Sequence, residues 1–149
     1  MRGKFFSFLF ITILASLTSC LTANKSTTIT PSIDGKYWKL VELNGEKVQP
    51  GEQLKKEPHM ILNASEKRVN GNGGCNSFFG SYDLQAGNGI SFSKIGSTKM
   101  ACAPDIMQVE YKLFQAFEMT GKYTVSNDSL FLMNKDMSPV AKFVESDMK

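Results

Sequence analysis

Gly71-Asn72-Gly73-Gly74-Cys75-Asn76-Ser77-Phe78-Phe79-Gly80-Ser81-Tyr82-Asp83-Leu84 is the stretch that decides the fold. Its glycines at 71, 73 and 74 permit a β-bulge or a close approach of two backbones, and the run from Ser77 to Leu84 reads as extended. Upstream, Tyr37 to Leu43 alternates around Trp38, Leu40 and Glu42 and runs into Asn44-Gly45, a pair that tolerates positive φ at both turn positions and so signals a hairpin. A short return strand is expected at Glu46 to Val48. Pro50-Gly51 breaks the pattern, His59 to Leu62 resumes it, and Arg68 to Asn72 returns after the Asn63–Lys67 turn.

Downstream, Gly87-Asn88-Gly89 turns the chain into a strand from Ile90 to Ile95. The period then changes. Ile106, Val109, Leu113, Phe114 and Phe117 recur at spacings of three and four, which puts them on one face of a helix from Pro104 to Met119. Pro104 suits the first turn and Gly121 the stop. Lys122 to Ser126 and Leu130 to Met133 flank Asn127-Asp128-Ser129, and Ala141 to Val144 supplies a last edge strand, guarded by Lys142 or open to pairing. Seven or eight short strands and one helix predict a mainly β (α+β) fold: a small curled antiparallel sheet or cracked β-barrel with one packed α-helix.

The N-terminus speaks to address rather than fold. Arg2 and Lys4 precede an apolar run from Phe5 to Leu17, too short at about 13 residues to span a bilayer and typical of a signal sequence. Leu17-Thr18-Ser19-Cys20 resembles a bacterial lipobox, so residues 1–19 are expected to be removed and Cys20 to carry lipid; an ordinary secretory signal or an uncleaved anchor is the plainer alternative. Residues 20–33, mainly Thr, Ser, Asn and Lys, read as a flexible tether, and residues 34–146 as one domain. Leu21 and Thr22, with no aspartate after the cysteine, resemble lipoproteins sent to the outer membrane. The expected location is therefore exported and lipid-anchored to the cell envelope.

Of 17 Lys and Arg, two lie in the signal, which leaves 15 against 14 Asp and Glu. That near-neutral balance, with no basic cluster larger than Lys55-Lys56 or Lys67-Arg68, excludes a nucleic-acid footprint. Cys75 and Cys102 remain after lipidation. In an oxidising compartment they can form a disulfide, or they can stay as two buried thiols, since sequence does not show whether their Cβ atoms approach.

Trp38-Lys39-Leu40 with Asn44-Gly45, Gly74-Cys75-Asn76 through Phe79-Gly80-Ser81-Tyr82, Thr98-Lys99-Met100-Ala101-Cys102, and Glu110 in the helix resemble the META domain, also called the HslJ-like family. Tyr123-Thr124-Val125 and Leu130-Phe131-Leu132 match its closing hairpin. The resemblance implies a cracked β-barrel with a helix, found in heat-shock and envelope proteins and lipoproteins usually without an assigned activity. Members have been linked to drug tolerance and, in a protozoan relative, to virulence. The implied fold is similar to that of a pilotin lipoprotein that binds secretin tails and lipid, which is an analogy of fold alone. The motif residues Trp38, Gly74, Cys75, Asn76, Phe79, Gly80, Tyr82, Thr98, Met100, Cys102 and Glu110 are expected to be structural.

Chemistry is sparse. The Gly73-Gly74-Cys75-Asn76 loop lacks the Lys and Ser or Thr of a phosphate loop. His59, the single histidine, has no nucleophile motif beside it, and no metal-ligand or redox spacing joins it to the cysteines. Glu110 and Glu118, eight apart, are too distant to cooperate as acid and base, and Glu110 is expected to face solvent or cap a loop. No catalytic residue, metal or cofactor is predicted. The expected function is a non-enzymatic envelope module with a stress-related binding or structural role, whose partners are the membrane, through the N-terminal lipid, and an envelope protein. The alternative is a carrier of a small hydrophobic ligand or acyl chain, lined by Phe92, Phe114 and Phe117 among the aromatic set Trp38, Phe78 and Phe131.

Overall fold

The computed structural model describes residues 32–48 and 56–147. The signal sequence, Cys20, Leu21, Thr22, nearly all of the tether, and the Pro50-Gly51 break lie outside the described residues. Nine strands and one helix follow in order: β1 (Tyr37–Leu43), β2 (Glu46–Lys47), β3 (His59–Asn63), β4 (Arg68–Asn72), β5 (Ser77–Gln85), β6 (Gly89–Ser97), α1 (Pro104–Met119), β7 (Lys122–Ser126), β8 (Ser129–Met133) and β9 (Pro139–Ser146). Each of the nine strands falls on a run read as extended in the sequence, so the expected total of seven or eight was an undercount.

All pairings are antiparallel and run β1-β3-β4-β5-β6-β7-β8-β9, with β9 returning to β1 so that the sheet curls into a ring. β2 and β3 share one side of β1, β2 opposite Glu42 and Leu43 and β3 opposite Tyr37 to Lys39. β9 is therefore not an edge, as its short apolar run suggested: Ala141 to Val144 pairs with both β8 and β1. The ring is thin at one place only among these neighbours. β6 and β7 are matched by a single pair, Gly89 with Lys122, and α1, the segment that connects them, packs into the ring beside this crack.

Turn chemistry explains the corners. Asn44 and Gly45 both take positive φ (50° and 82°), as the Asn-Gly hairpin signal predicts. The alternation of β1 departs from expectation at its end: a bulge between Leu40 and Glu42 turns Leu43 inward instead of Glu42, so Trp38, Leu40 and Leu43 are the buried residues. Gly71 shows why its position carries no side chain, because a Cβ there would lie 2.0 Å from the carbonyl oxygen of His59.

The core is apolar from every strand that faces it: Trp38, Met60, Leu62, Val69, Phe78, Ile90, Leu130, Leu132 and Phe143 are fully or nearly fully buried, with Leu113, Ala116 and Phe117 from the helix. Burial of side chains of this size stabilises by about 1.5 to 3 kcal/mol each. Phe131, counted among possible lining residues, lies on the other face of β8, under the Lys142 ammonium at 5.3 Å. The helix starts with Pro104 in its first turn and ends at Thr120 in extended conformation, whose hydroxyl donates to the Ala116 carbonyl at 2.6 Å, with Gly121 directly after the cap. Ile33, placed by the sequence at the end of the tether, is 1% exposed in the core, so the packed domain starts one residue earlier than its composition indicates.

Candidate functional site

Two places hold the residues singled out by sequence. The first is a polar knot that pins the N-terminal half of α1 to the start of β5. Gly74 takes φ 106°, and the chain there turns so that Cys75 and Asn76 are buried. Asn76 is the hub. Its backbone N–H donates to Glu110 Oε2 at 2.7 Å and its amide Nδ2 to Glu110 Oε1 at 2.9 Å, so the carboxylate is gripped by both donors of one residue. Its Oδ1 accepts from the Thr98 hydroxyl at 2.8 Å and from the Met100 N–H at 2.7 Å. Hydrogen bonds to a carboxylate are worth roughly 1.5 to 3 kcal/mol each, above neutral pairs.

A disulfide joins Cys75 to Cys102 beside the hub, with Cα atoms 6.0 Å apart, so of the two states left open by sequence the bridge is the one formed. Gly73 completes the fit: a Cβ on it would sit 2.7 Å from Glu110 Cγ. Glu110 does not face solvent; it caps the 73–76 loop, and neither Lys99 nor Arg68 is its partner. Asn72 in the same loop accepts from the Gly74 N–H at 2.7 Å, while its buried Nδ2 has no partner. Of the predicted motif residues, this knot brings together Gly74, Cys75, Asn76, Thr98, Met100, Cys102 and Glu110.

The others lie elsewhere. Trp38 is wholly buried, and its indole N–H donates to the Ile33 carbonyl at 2.8 Å. The Tyr82 hydroxyl bonds the Asp34 carboxylate in a short contact; burial first, then that carboxylate, push the phenol well above its ordinary range. Burial and Asp34 act in the same direction on Tyr123. Asp34 and Ile33 thus latch the segment ahead of β1 onto the ring, a role that composition alone did not reveal. Phe79 points outward, and its ring covers Gly96 across the β5–β6 pair, while Gly80 makes room for Ile95. His59 stacks on Tyr37 with ring centroids 4.4 Å apart and its Nδ1 lies 2.8 Å from the Glu57 carbonyl, beside the Lys39–Glu57 ion pair.

The second place is a cleft at the crack. Phe92 of β6 and Phe114 and Phe117 of α1, the three residues named as possible ligand lining, meet there with Ser93, Lys94, Ile95 and Glu118 around a volume of about 310 Å3. Phe92 and Phe117 lie 4.6 Å apart between centroids, and Phe117 and Phe114 each contact Phe78 behind them at 5.4 and 5.7 Å. Phe117 is buried, whereas Phe92 and Phe114 are half-exposed. Helical periodicity placed Phe114 and Phe117 on the core side, and strand alternation placed Phe92; neither showed that Phe92 and Phe114 would stop at the opening.

Among the described residues no three His, Cys, Asp or Glu side chains are grouped to hold a metal ion, and no helix is long and apolar enough to cross a membrane.

Comparisons with known proteins agree on the fold. A solution structure of a protein from Burkholderia xenovorans is 22% identical, with a TM-score of 0.62 over 84% of this chain and 97% of that one. A second solution structure is 19% identical, with a TM-score of 0.57, and covers 75% of this chain and 91% of its own. The crystal structure of a DUF4847 family protein from Bacteroides vulgatus is 12% identical, with a TM-score of 0.57 over 78% of this chain and 96% of that one. No curated protein matches. The META domain family profile matches residues 31–147, the span that includes the knot, the latch and the cleft, and the chain belongs to that family.

Proposed function

We propose that this chain is an exported, lipid-anchored protein of the cell envelope, held by Cys20, whose META domain is a non-catalytic binding or structural module that serves under stress. The observation that carries this reading is how the motif residues are used. Asn76, Glu110, Thr98 and Met100 bond one another, and Cys75 bonds Cys102, so the polar groups of the motif hold the fold rather than face a substrate. A disulfide also suits an oxidising compartment. Palmitate labelling and membrane sedimentation test the anchor: the wild type should take up label and sediment with membranes, and Cys20→Ser should do neither. An unlabelled wild type that stays in the soluble fraction overturns the anchor. Survival of envelope stress, restored to a deletion strain by the wild type but not by Cys20→Ser, tests the role.

A second reading, a small-ligand carrier, is favoured by the cleft at Phe92, Phe114 and Phe117. Ligand sites combine such apolar walls with a few polar groups.

A further inference from the structure

The cleft between β6 and α1 has two features that the fold itself does not need. The first is in the backbone. Lys94, in the middle of β6, takes φ 53°, a left-handed conformation that a side-chain-bearing residue adopts at a cost, next to the register shift between β5 and β6. Bulges of this kind turn a side chain to a new direction and recur beside binding sites. Here the residue so turned lines the cleft.

The second is charge. Lys94 from the strand and Glu118 from the helix line the same cleft, and neither belongs to the ion pairs among the described residues, which join Lys36 to Glu145, Lys39 to Glu57, Lys67 to Asp83 and Lys112 to Glu46. An opening floored by Phe117 and walled by Phe92 and Phe114 thus has one free cation and one free anion beside it. A fatty acid would satisfy Lys94 but bring its carboxylate beside Glu118, and a hydrophobic amine would meet the converse repulsion. The volume, about 310 Å3, is at the small end of the range of roughly 300 to 1,000 Å3 for ligand sites, too small for a long acyl chain.

We propose that the cleft binds a compact zwitterion with an aromatic or branched apolar body, the chemistry of a free apolar α-amino acid. The body rests on Phe92, Phe114 and Phe117, the carboxylate meets the Lys94 ammonium, and the ligand ammonium meets Glu118. This proposal rests on the carrier reading and narrows it.

Calorimetric titration of the full chain tests it, with four probes: L-phenylalanine, its amide, its N-acetyl derivative and octanoate. Phenylalanine should bind saturably at one site, and the amide and the N-acetyl derivative should each bind about threefold more weakly, the scale of a partly exposed charge pair. Lys94→Asn, which keeps a residue tolerant of positive φ, should weaken phenylalanine but not the amide; Glu118→Gln should weaken phenylalanine but not the N-acetyl derivative. That crossed pattern cannot arise from misfolding. Octanoate binding more tightly than phenylalanine and indifferent to Glu118→Gln overturns the zwitterion while the carrier reading stands. Absence of binding by all four probes overturns both.

Discussion

The two halves of α1 are attached to the ring by opposite means. Its N-terminal half is fixed by a carboxylate with two donors on it and a disulfide close by, while its C-terminal half rests on Leu113, Ala116 and Phe117 beside an open cleft. Polar bonds have direction and define one position of a helix; apolar contacts are non-directional and tolerate small shifts. The contrast teaches that the polar knot secures the helix at one end and leaves the other end, at the β6–β7 crack, to apolar packing beside an opening.

Removing the hub should have the largest effect. Asn76→Ala deletes the Nδ2 donor to Glu110 and the acceptor of the Thr98 and Met100 donors at a site only 4% exposed, leaving the backbone N–H alone on the carboxylate, and should lower stability in urea by about 4 kcal/mol. A loss under about 1 kcal/mol would break the contrast, because the knot would then be ornament to an apolar attachment. Reduction of the Cys75–Cys102 bridge, 27 residues apart in sequence, should cost about 3 to 4 kcal/mol on the chain-entropy account, with the same fold by circular dichroism. At the other end, Phe114→Ala removes a half-exposed ring and should cost about 1 to 2 kcal/mol, while hydrogen exchange quickens in residues 113–119 and not around Glu110.

The smallest effect near neutral pH belongs to the latch ahead of β1. Tyr82 has its phenol raised by burial and by Asp34, so its contribution is fully present below the ordinary phenol value of about 10 and is lost as pH rises through that value toward the folded one. Stability should therefore fall above about pH 10, and Tyr82→Phe should fall less steeply there, since the upward shifts of Tyr123, Tyr37 and Lys67 remain. Equal slopes in wild type and variant would remove Asp34–Tyr82 as the alkaline-sensitive contact.

Local features were legible before the structure. Asn44-Gly45 has one cheap conformation, and the spacing of Ile106, Leu113 and Phe117 suits one helical face, so hairpin and helix follow from short-range sterics and patterning. The closure of β9 on β1 was not legible, because Tyr37 and Ser146 meet across more than 100 residues and local periodicity carries no register over that distance. The same limit hid the knot. Glu110 stands within the apolar arc, four positions after Ile106 and four before Phe114, yet spacing names no partner for it; only the fold brings it to a donor 34 positions away. The three rings meet at one cleft, but whether aromatics fill a core or rim an opening depends on volumes that sequence spacing does not encode.

The pairing of Tyr37 with Ser146 has a topological consequence. The first strand of the ring begins where its last strand ends, so a short linker from Asp147 to Ile33 would make the domain a circle, and a cut at the Asn127-Asp128 turn would give it new ends without changing any strand neighbour. Seen this way the domain is a closed loop opened between Asp147 and Ile33, one of several turns at which the same ring could be opened.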